Sequence, residues 1–273
     1  MTILVTGATG SVGRKVIDQL MAANEHVRAS SRNPATAGLP AGVEVVAGDL
    51  GRLETLPALF DGVEKMYLIS INGDRVLDAP DEVIDLAKQA GVRRVVSLSS
   101  SGRPYFSVEQ AIEASGLEWT HVRPGEFATT KIDVWAPTIR AEGVARSAYL
   151  DVPTVPIHEA DIASVVVTSL IEDGHAGRIY ELTGPVQITQ REQIQAIGEA
   201  IGKRIVIEEL SPAEARANMI REGWPEIIAD HILGYFVEWE LEPPVATTTV
   251  LDVTGRPGRT FAEWAVDHAD DFR

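Results

Sequence analysis

The sequence predicts an α/β protein: a Rossmann-type, doubly wound parallel sheet with a small C-terminal α/β substrate lobe. Three observations carry this. Apolar runs of strand length alternate with helical patterns from Ile3 to Arg123. The first run, Ile3, Leu4 and Val5, leads into Gly7, Gly10 and Gly13, and then into Val12, Val16, Ile17, Leu20 and Met21 at helical spacing. Glycine or polar residues stand at the carboxyl ends of the first five strand candidates, where ligands bind in such sheets.

Taken in order, the first turn is the most informative stretch. Gly7 permits the tight turn, Gly10 leaves room for a pyrophosphate against bare backbone, and Gly13 lets the helix approach the strand. The helix N-terminus offers free N–H groups and a positive dipole end to phosphates, with Thr9, Ser11 and Val12 completing the loop. Opening an alternating chain, this turn predicts dinucleotide binding. The second strand, residues 26–31, ends in Ser31 and Arg32 before Asn33 and Pro34. An acidic residue there favours NAD, whereas an arginine pairs with a 2′-phosphate. Ser31 and Arg32 are present and no acid is, so NADP(H) is expected over NAD(H).

Residues 43–46 read as the third strand, followed by Gly48, Asp49 and Leu50. Asp49 either accepts from the adenine amino group or caps the turn. A helix carries Leu53, Leu56, Leu59 and Phe60, and residues 65–70 form the fourth strand, ending near the cofactor in Ser70, Ile71 and Asn72. Asp81 opens a helix that Gly91 ends. The fifth strand, residues 94–98, runs into Ser99, Ser100 and Ser101, one of whose hydroxyls is expected to face the nicotinamide. A helix with Val108, Ala111 and Ile112 precedes the sixth strand, residues 118–123, which Pro124 and Gly125 break. His121 is expected in or beside the sheet as a structural residue.

Beyond this, Asp161 reads as an N-cap before Ile162, Val165, Val166 and Leu170, and residues 178–182 as a strand. Thr189 with Glu192 forms a capping box, as do Ser211 with Glu214 and Thr260 with Glu263. Residues 205–208 suggest a short strand, and residues 225–233 a helix followed by an apolar, aromatic stretch. The alternation is lost here. The expected division is a cofactor-binding core over 1–152, with 153–183 and 245–273 contributing, and a substrate-binding lobe over 184–244. Trp135, Tyr149, Tyr235 and Phe236 either fill the lobe core or line its pocket, since flat acceptors stack on aromatic faces.

Composition excludes several classes. The chain has 273 residues, 45% hydrophobic, enough for one large core with or without a small lobe. It has no cysteine, which removes disulfides, thiolate nucleophiles and Cys-ligated metals. The six histidines are scattered, so no metal site is expected. A net charge of -16, with no basic patch, speaks against nucleic acid. No apolar run spans a bilayer and no basic stretch precedes the first strand, so no membrane or signal segment is read and a cytoplasmic location is expected.

Thr6 to Gly13, Ser31 to Pro34, Gly48 to Leu50, Val96 to Ser100 and Ser115 to Gly125 fall in sequence. Together they resemble the atypical short-chain dehydrogenase/reductases, most closely the NmrA-like branch. That branch includes NADPH-dependent quinone reductases and redox-sensing regulators that bind cofactor without turnover. Residues 156–163 and 254–263 extend the resemblance over nearly the whole chain. The wider superfamily uses a Tyr-x-x-x-Lys pair as a proton relay. The helix that should carry it places Phe106 and Gln110 there, and a shift by one gives Tyr105 with Glu109. A carboxylate raises a phenol pKa, so that pair does not do the same work. Gln110 is left to hydrogen-bond a ribose, and Pro124 borders the cofactor.

The first functional reading is an NADPH-dependent oxidoreductase that passes hydride to a quinone-like acceptor. Quinones are strong hydride acceptors whose reduced oxygens take protons from water. Ser99, Ser100, Tyr105 and His158 are the groups expected near the substrate; His158 either donates a proton or bonds within the loop before Asp161. The second reading is a cofactor-sensing regulator with a protein partner. The third is an isomerase, epimerase or dehydratase. A homodimer is compatible with each.

Overall fold

Ile3, Leu4 and Val5 are fully buried, as a strand covered on both faces requires. The computed structural model describes residues 1–72, 75–100 and 106–273. In chain order the elements are β1 (Thr2–Val5), α1 (Ser11–Ala22), β2 (His26–Ser31), β3 (Glu44–Ala47), α2 (Leu56–Phe60), β4 (Val63–Ile69), the antiparallel pair β5 (Ile71–Asn72) and β6 (Arg75–Val76), α3 (Pro80–Gln89), β7 (Arg94–Leu98), α4 (Phe106–Ala114) and β8 (Glu118–Pro124). Then follow α5 (Thr130–Glu142), β9 (Val144–Ser147), β10 (Pro153–Thr154), α6 (Glu159–Ile171), β11 (Arg178–Leu182), β12 (Ile188–Thr189), α7 (Gln190–Ile201), β13 (Val206–Glu209), α8 (Pro212–Arg221), α9 (Glu226–Leu241), α10 (Thr249–Thr254) and α11 (Phe261–Asp267).

Two compact units divide the chain. The first comprises residues 1–124, 159–182 and 249–256. Its seven-stranded sheet runs β11-β8-β7-β4-β1-β2-β3, and every neighbouring pair is parallel. The chain moves outward from β1 through β2 and β3, then restarts on the other side of β1 with β4. The order therefore reverses between β1 and β4, which opens a crevice at their carboxyl ends. On one face α6 packs against α1 and α10; on the other α3 packs against α2 and α4. The second layer closes over Leu4, Met66, Leu68 and Val95 with Leu56, Leu59, Phe60, Ile84 and Ile112.

The second unit comprises residues 125–158, 183–248 and 257–273. Its core joins Trp135, Ile139, Ile194, Ile197, Phe261, Trp264 and Phe272. Two small sheets flank it, β13 parallel to β9 and β10 antiparallel to β12. Residues 125–158, 183, 245–248 and 257–273 thus cluster with the second unit, whereas the expected division has 1–152 as the core with 153–183 and 245–273 contributing.

Three expectations need correction. α6 begins at Glu159, so Asp161 lies in its first turn and is not its cap. Leu53 sits in a short 3-10 turn, and only Leu56–Phe60 is α-helical. α9 does not stop at residue 233: it runs to Leu241, taking in the aromatic stretch. Gly234 lowers helix propensity by about 1 kcal/mol but presents no steric stop, and the next prolines come only at Pro243 and Pro244. Among the described residues no helix is long and apolar enough to cross a membrane.

Candidate active site

The turn after β1 is locked before any ligand enters. The buried Thr6 hydroxyl donates to the Tyr67 carbonyl at 3.0 Å and accepts from the Ile69 N–H at 2.9 Å, tying β1 to β4 at their carboxyl ends. Gly7 adopts φ +59°, and the Gly10 N–H donates to its carbonyl at 3.0 Å. A Cβ on Gly13 would lie 2.2 Å from the Gly7 carbonyl oxygen, so only glycine fits. Gly10 is the N-cap of α1, and no side chain caps it. The first-turn N–H groups therefore face Thr9, Gly10 and Ser11 at the surface, while Val12 and Gly13 are buried beneath them.

Arg14 fixes the rim of this turn. Its guanidinium donates to the carbonyls of Thr9 at 3.1 Å, Gly38 at 2.8 Å and Ala37 at 3.0 Å, joining the loop after β2 to the glycine turn. At the end of β2, the Ser31 hydroxyl accepts from the Asn33 N–H at 3.1 Å. Arg32 is exposed and forms no ion pair among the described residues, in a chain with 40 acidic side chains. After β3, Asp49 accepts from the Gly51 N–H at 2.9 Å, a turn-capping bond, and Leu50 is buried in the core.

Two buried hydroxyls stand at neighbouring strand ends. Ser70 follows β4, and its N–H donates to the Leu98 carbonyl at 3.2 Å; Ser99 follows β7, and its N–H donates to Val122 at 2.8 Å. The Ser70 hydroxyl has no hydrogen-bond partner among the described residues, and the Ser99 hydroxyl, with none in bonding geometry, lies near the Glu109 carboxylate. Ser100 is half-buried beside them. Ile71 and Asn72 form β5, but their side chains, like the whole of Ser101 and Tyr105, lie outside the described residues. A glycine cradle, an open helix N-terminus and two buried hydroxyls fit a dinucleotide at the carboxyl edge of the sheet.

Beneath Ser99, α4 is fastened to β8. The Arg123 guanidinium grips Glu109 with both arms, at 2.9 and 2.5 Å, and reaches Glu181 at 3.2 Å. Burial alone would raise the Glu109 carboxyl. The Arg123 bonds, the nearby Ser99 hydroxyl and the neighbouring positive charge outweigh it and hold the carboxyl below its ordinary range. Arg123 in turn is held further into its charged form by Glu109. Its guanidinium lies 5.4 Å from the centre of the Phe106 ring. Gln110 is exposed on α4, and Pro124 is buried at the end of β8 opposite Leu182. Two residues before Arg123 on β8, His121 is fully buried. Its Nδ1 lies 2.7 Å from the Ser97 hydroxyl, its Nε2 3.3 Å from Glu113, and its ring stacks on Trp119 at 4.5 Å. Burial pushes its imidazole below the usual value, against the pull of Glu109 and Glu113.

A family model described as NAD(P)H-binding matches residues 7–173. The chain belongs to this NAD(P)H-binding family. It is 35% identical to a (4-alkanoyl-5-oxo-2,5-dihydrofuran-3-yl)methyl phosphate reductase of Streptomyces griseus, over 99% of both chains. It is 34% identical to an NAD(P)H azoreductase of Xenophilus azovorans, again over 99% of both. The structure of an NADPH-dependent quinone oxidoreductase from Escherichia coli, complexed with NADPH, superposes with a TM-score of 0.82 at 28% identity, covering 97% of this chain and 99% of that one. The protein is an atypical short-chain-type, NAD(P)H-dependent oxidoreductase acting on a small molecule.

Within this family member, the carboxyl edge of the sheet in the first unit carries Gly7, Thr9, Gly10, Ser11, Ser31, Arg32, Asp49, Ser70, Ser99 and Ser100. His158 belongs to the second unit, where it is buried with Nε2 3.3 Å from Asp267 and its ring 6.3 Å from that of His268. Trp135 is buried in the core of the second unit, Phe236 is buried on α9 with the half-buried Tyr149 stacked on it at 5.7 Å, and Tyr235 is exposed. Sequence reasoning missed the Glu109–Arg123 pair and the Arg14 clamp. The only trace of the first was a carboxylate on the apolar side of the α4 pattern, since Val108, Glu109 and Ile112 share its inner face.

Proposed function

We propose that this oxidoreductase uses NADPH and reduces a quinone or a similar conjugated acceptor. When bound, the reduced nicotinamide supplies the hydride. Gly7 to Gly13 hold the pyrophosphate through bare backbone and the α1 N-terminus; Ser31 and Arg32 receive the 2′-phosphate; Ser70 and Ser99 offer hydroxyls to the polar edge of the cofactor. Asp49, Leu50, Ile71, Asn72, Gln110 and Pro124 complete the contacts, Asp49 through its turn.

The observation that carries the acceptor class is α4. By the family resemblance Phe106 and Gln110 take the places of the relay's tyrosine and lysine, and the inward carboxylate of α4, Glu109, is committed to Arg123. The protein therefore supplies proximity and orientation more than acid–base chemistry. A quinone suits such a site, because hydride addition gives a stabilised oxyanion and solvent provides the proton that completes the hydroquinone. The azoreductase and quinone oxidoreductase relatives favour the same class. Ser99, Ser100 and Tyr105 are the groups assigned to the substrate side in the first unit; His158, buried beside Asp267 in the second unit, is the proton donor the sequence offers.

The test measures oxidation of NADPH and NADH in parallel against a panel of quinones, with wild type and Arg32→Ala. Wild type is expected to prefer NADPH. The variant is expected to lose about 1.5–3 kcal/mol of NADPH binding, a charge-assisted pair, while NADH is unchanged. Equal weakening of both cofactors would refute the role of Arg32.

A further inference from the structure

α9 buries only Ala229 and Phe236 of its 16 residues. Its C-terminal half presents Leu241 at 86% exposure, followed by Val245 at 76%. Trp239, Leu241, Pro243, Pro244 and Val245 line a surface cleft of about 540 Å³ there. The cleft is built. The Gln187 side-chain amide donates to the Pro244 carbonyl at 2.7 Å, which fixes the proline wall. Tyr235 stacks on Trp239 at 5.6 Å and Phe236 meets it edge-on at 5.4 Å, which holds the indole upright.

Charge decides what fits this apolar surface. Glu238 and Glu242 also line the cleft, and Glu240 lies between them in sequence. At the other end of α9, Glu226 and Asp230 are taken by Arg216 at 3.1 and 2.5 Å. Among the described residues Glu238, Glu240 and Glu242 form no ion pair, and no lysine or arginine lines the cleft or stands in the last turn of the helix. The carbonyl pole of α9 adds further negative potential at that end, and the net charge of -16 draws cations in from a distance. An indole face, an apolar wall and unneutralised carboxylates together recognise one chemistry.

We infer that the cleft at the C-terminal end of α9 binds a lipophilic organic cation, of aromatic or quaternary type. A second copy of the chain would bring the same carboxylates face to face, so it does not suit this surface. The residues of the site all belong to the second unit.

The test uses two probes of one shape and opposite charge, tetraphenylphosphonium and tetraphenylborate, in equilibrium dialysis with the full chain. The phosphonium is expected to bind and the borate not to bind. Glu238→Gln with Glu242→Gln is expected to weaken the phosphonium about tenfold, and Trp239→Leu to weaken it as well. Asp18→Asn with Glu222→Gln, which removes the same charge elsewhere, is expected to leave it unchanged. NADPH titration of each variant confirms that it is folded. Equal binding of both probes would show a merely greasy surface. An equal effect of the two double variants would show only long-range attraction by an acidic chain. Either result overturns the inference.

Discussion

At Gly13 and Gly10 one methyl group tests two separate demands. A Cβ on Gly13 meets backbone, 2.2 Å from the Gly7 oxygen and 2.9 Å from its carbon. Backbone does not swing aside as a side chain does, so Gly13→Ala is expected to cost about 1–3 kcal/mol of stability and to weaken NADPH with it. A Cβ on Gly10 meets only the Gly7 oxygen, at 3.3 Å, and φ there is -77°. Gly10→Ala is therefore expected to keep the melting temperature and still lose NADPH affinity, because the methyl occupies the approach to the phosphates. Thermal melting and NADPH fluorescence titration check both. A Gly10→Ala variant that binds as wild type would move the pyrophosphate away from this turn. The triplet was legible in the sequence because all its constraints are local. Arg14 was not: the carbonyls it holds at Ala37 and Gly38 lie 23 and 24 residues away, and only folding brings them to it.

Between elements, the α4–β8 junction rests on a buried ion pair. Glu109→Gln removes one partner of a shielded pair and is expected to cost about 3 kcal/mol, measured by denaturant unfolding at neutral pH. Glu109 is held below its ordinary value in the folded state. Its contribution is therefore complete above the unfolded carboxyl pKa of about 4.3, and is lost as pH falls through the lower folded value. His121 is likewise depressed, by burial. As pH falls below about 6.5, the unfolded chain takes up a proton that the folded chain resists, so stability falls with pH. His121→Gln is expected to flatten that part of the stability profile; an unchanged slope would remove His121 as its source. At this scale the sequence was clearest where the signal is short-range. The three boxes at Thr189, Ser211 and Thr260 all form, each with its glutamate three residues on. It failed where packing decides. α9 runs through Gly234, α5 accepts Pro137 in its interior and was not foreseen, and Asp161 sits inside α6 because the chain enters that helix two residues earlier.

For the whole molecule, strand–helix alternation determines the sheet almost completely. Right-handed parallel crossovers leave a handful of orders around β1, and the observed one puts the crevice where the glycine turn lies. The division into units was less legible. Residues 125–158, 183–248 and 257–273 form one unit although segments of the other interrupt them, and no composition shift marks those returns. The function proposed at this scale is hydride delivery to a conjugated acceptor, by orientation more than by acid–base chemistry. The most direct measurement mixes the NADPH-loaded protein with a quinone in anaerobic stopped flow and follows the nicotinamide absorbance over a range of pH, with hydrogen or deuterium at the transferred position. The account predicts oxidation that saturates with quinone, slows with deuterium, and shows no ionisation attributable to a tyrosine–lysine relay. Bound NADPH that the quinone oxidises no faster than free NADPH would contradict it and leave a protein that binds the cofactor without using it.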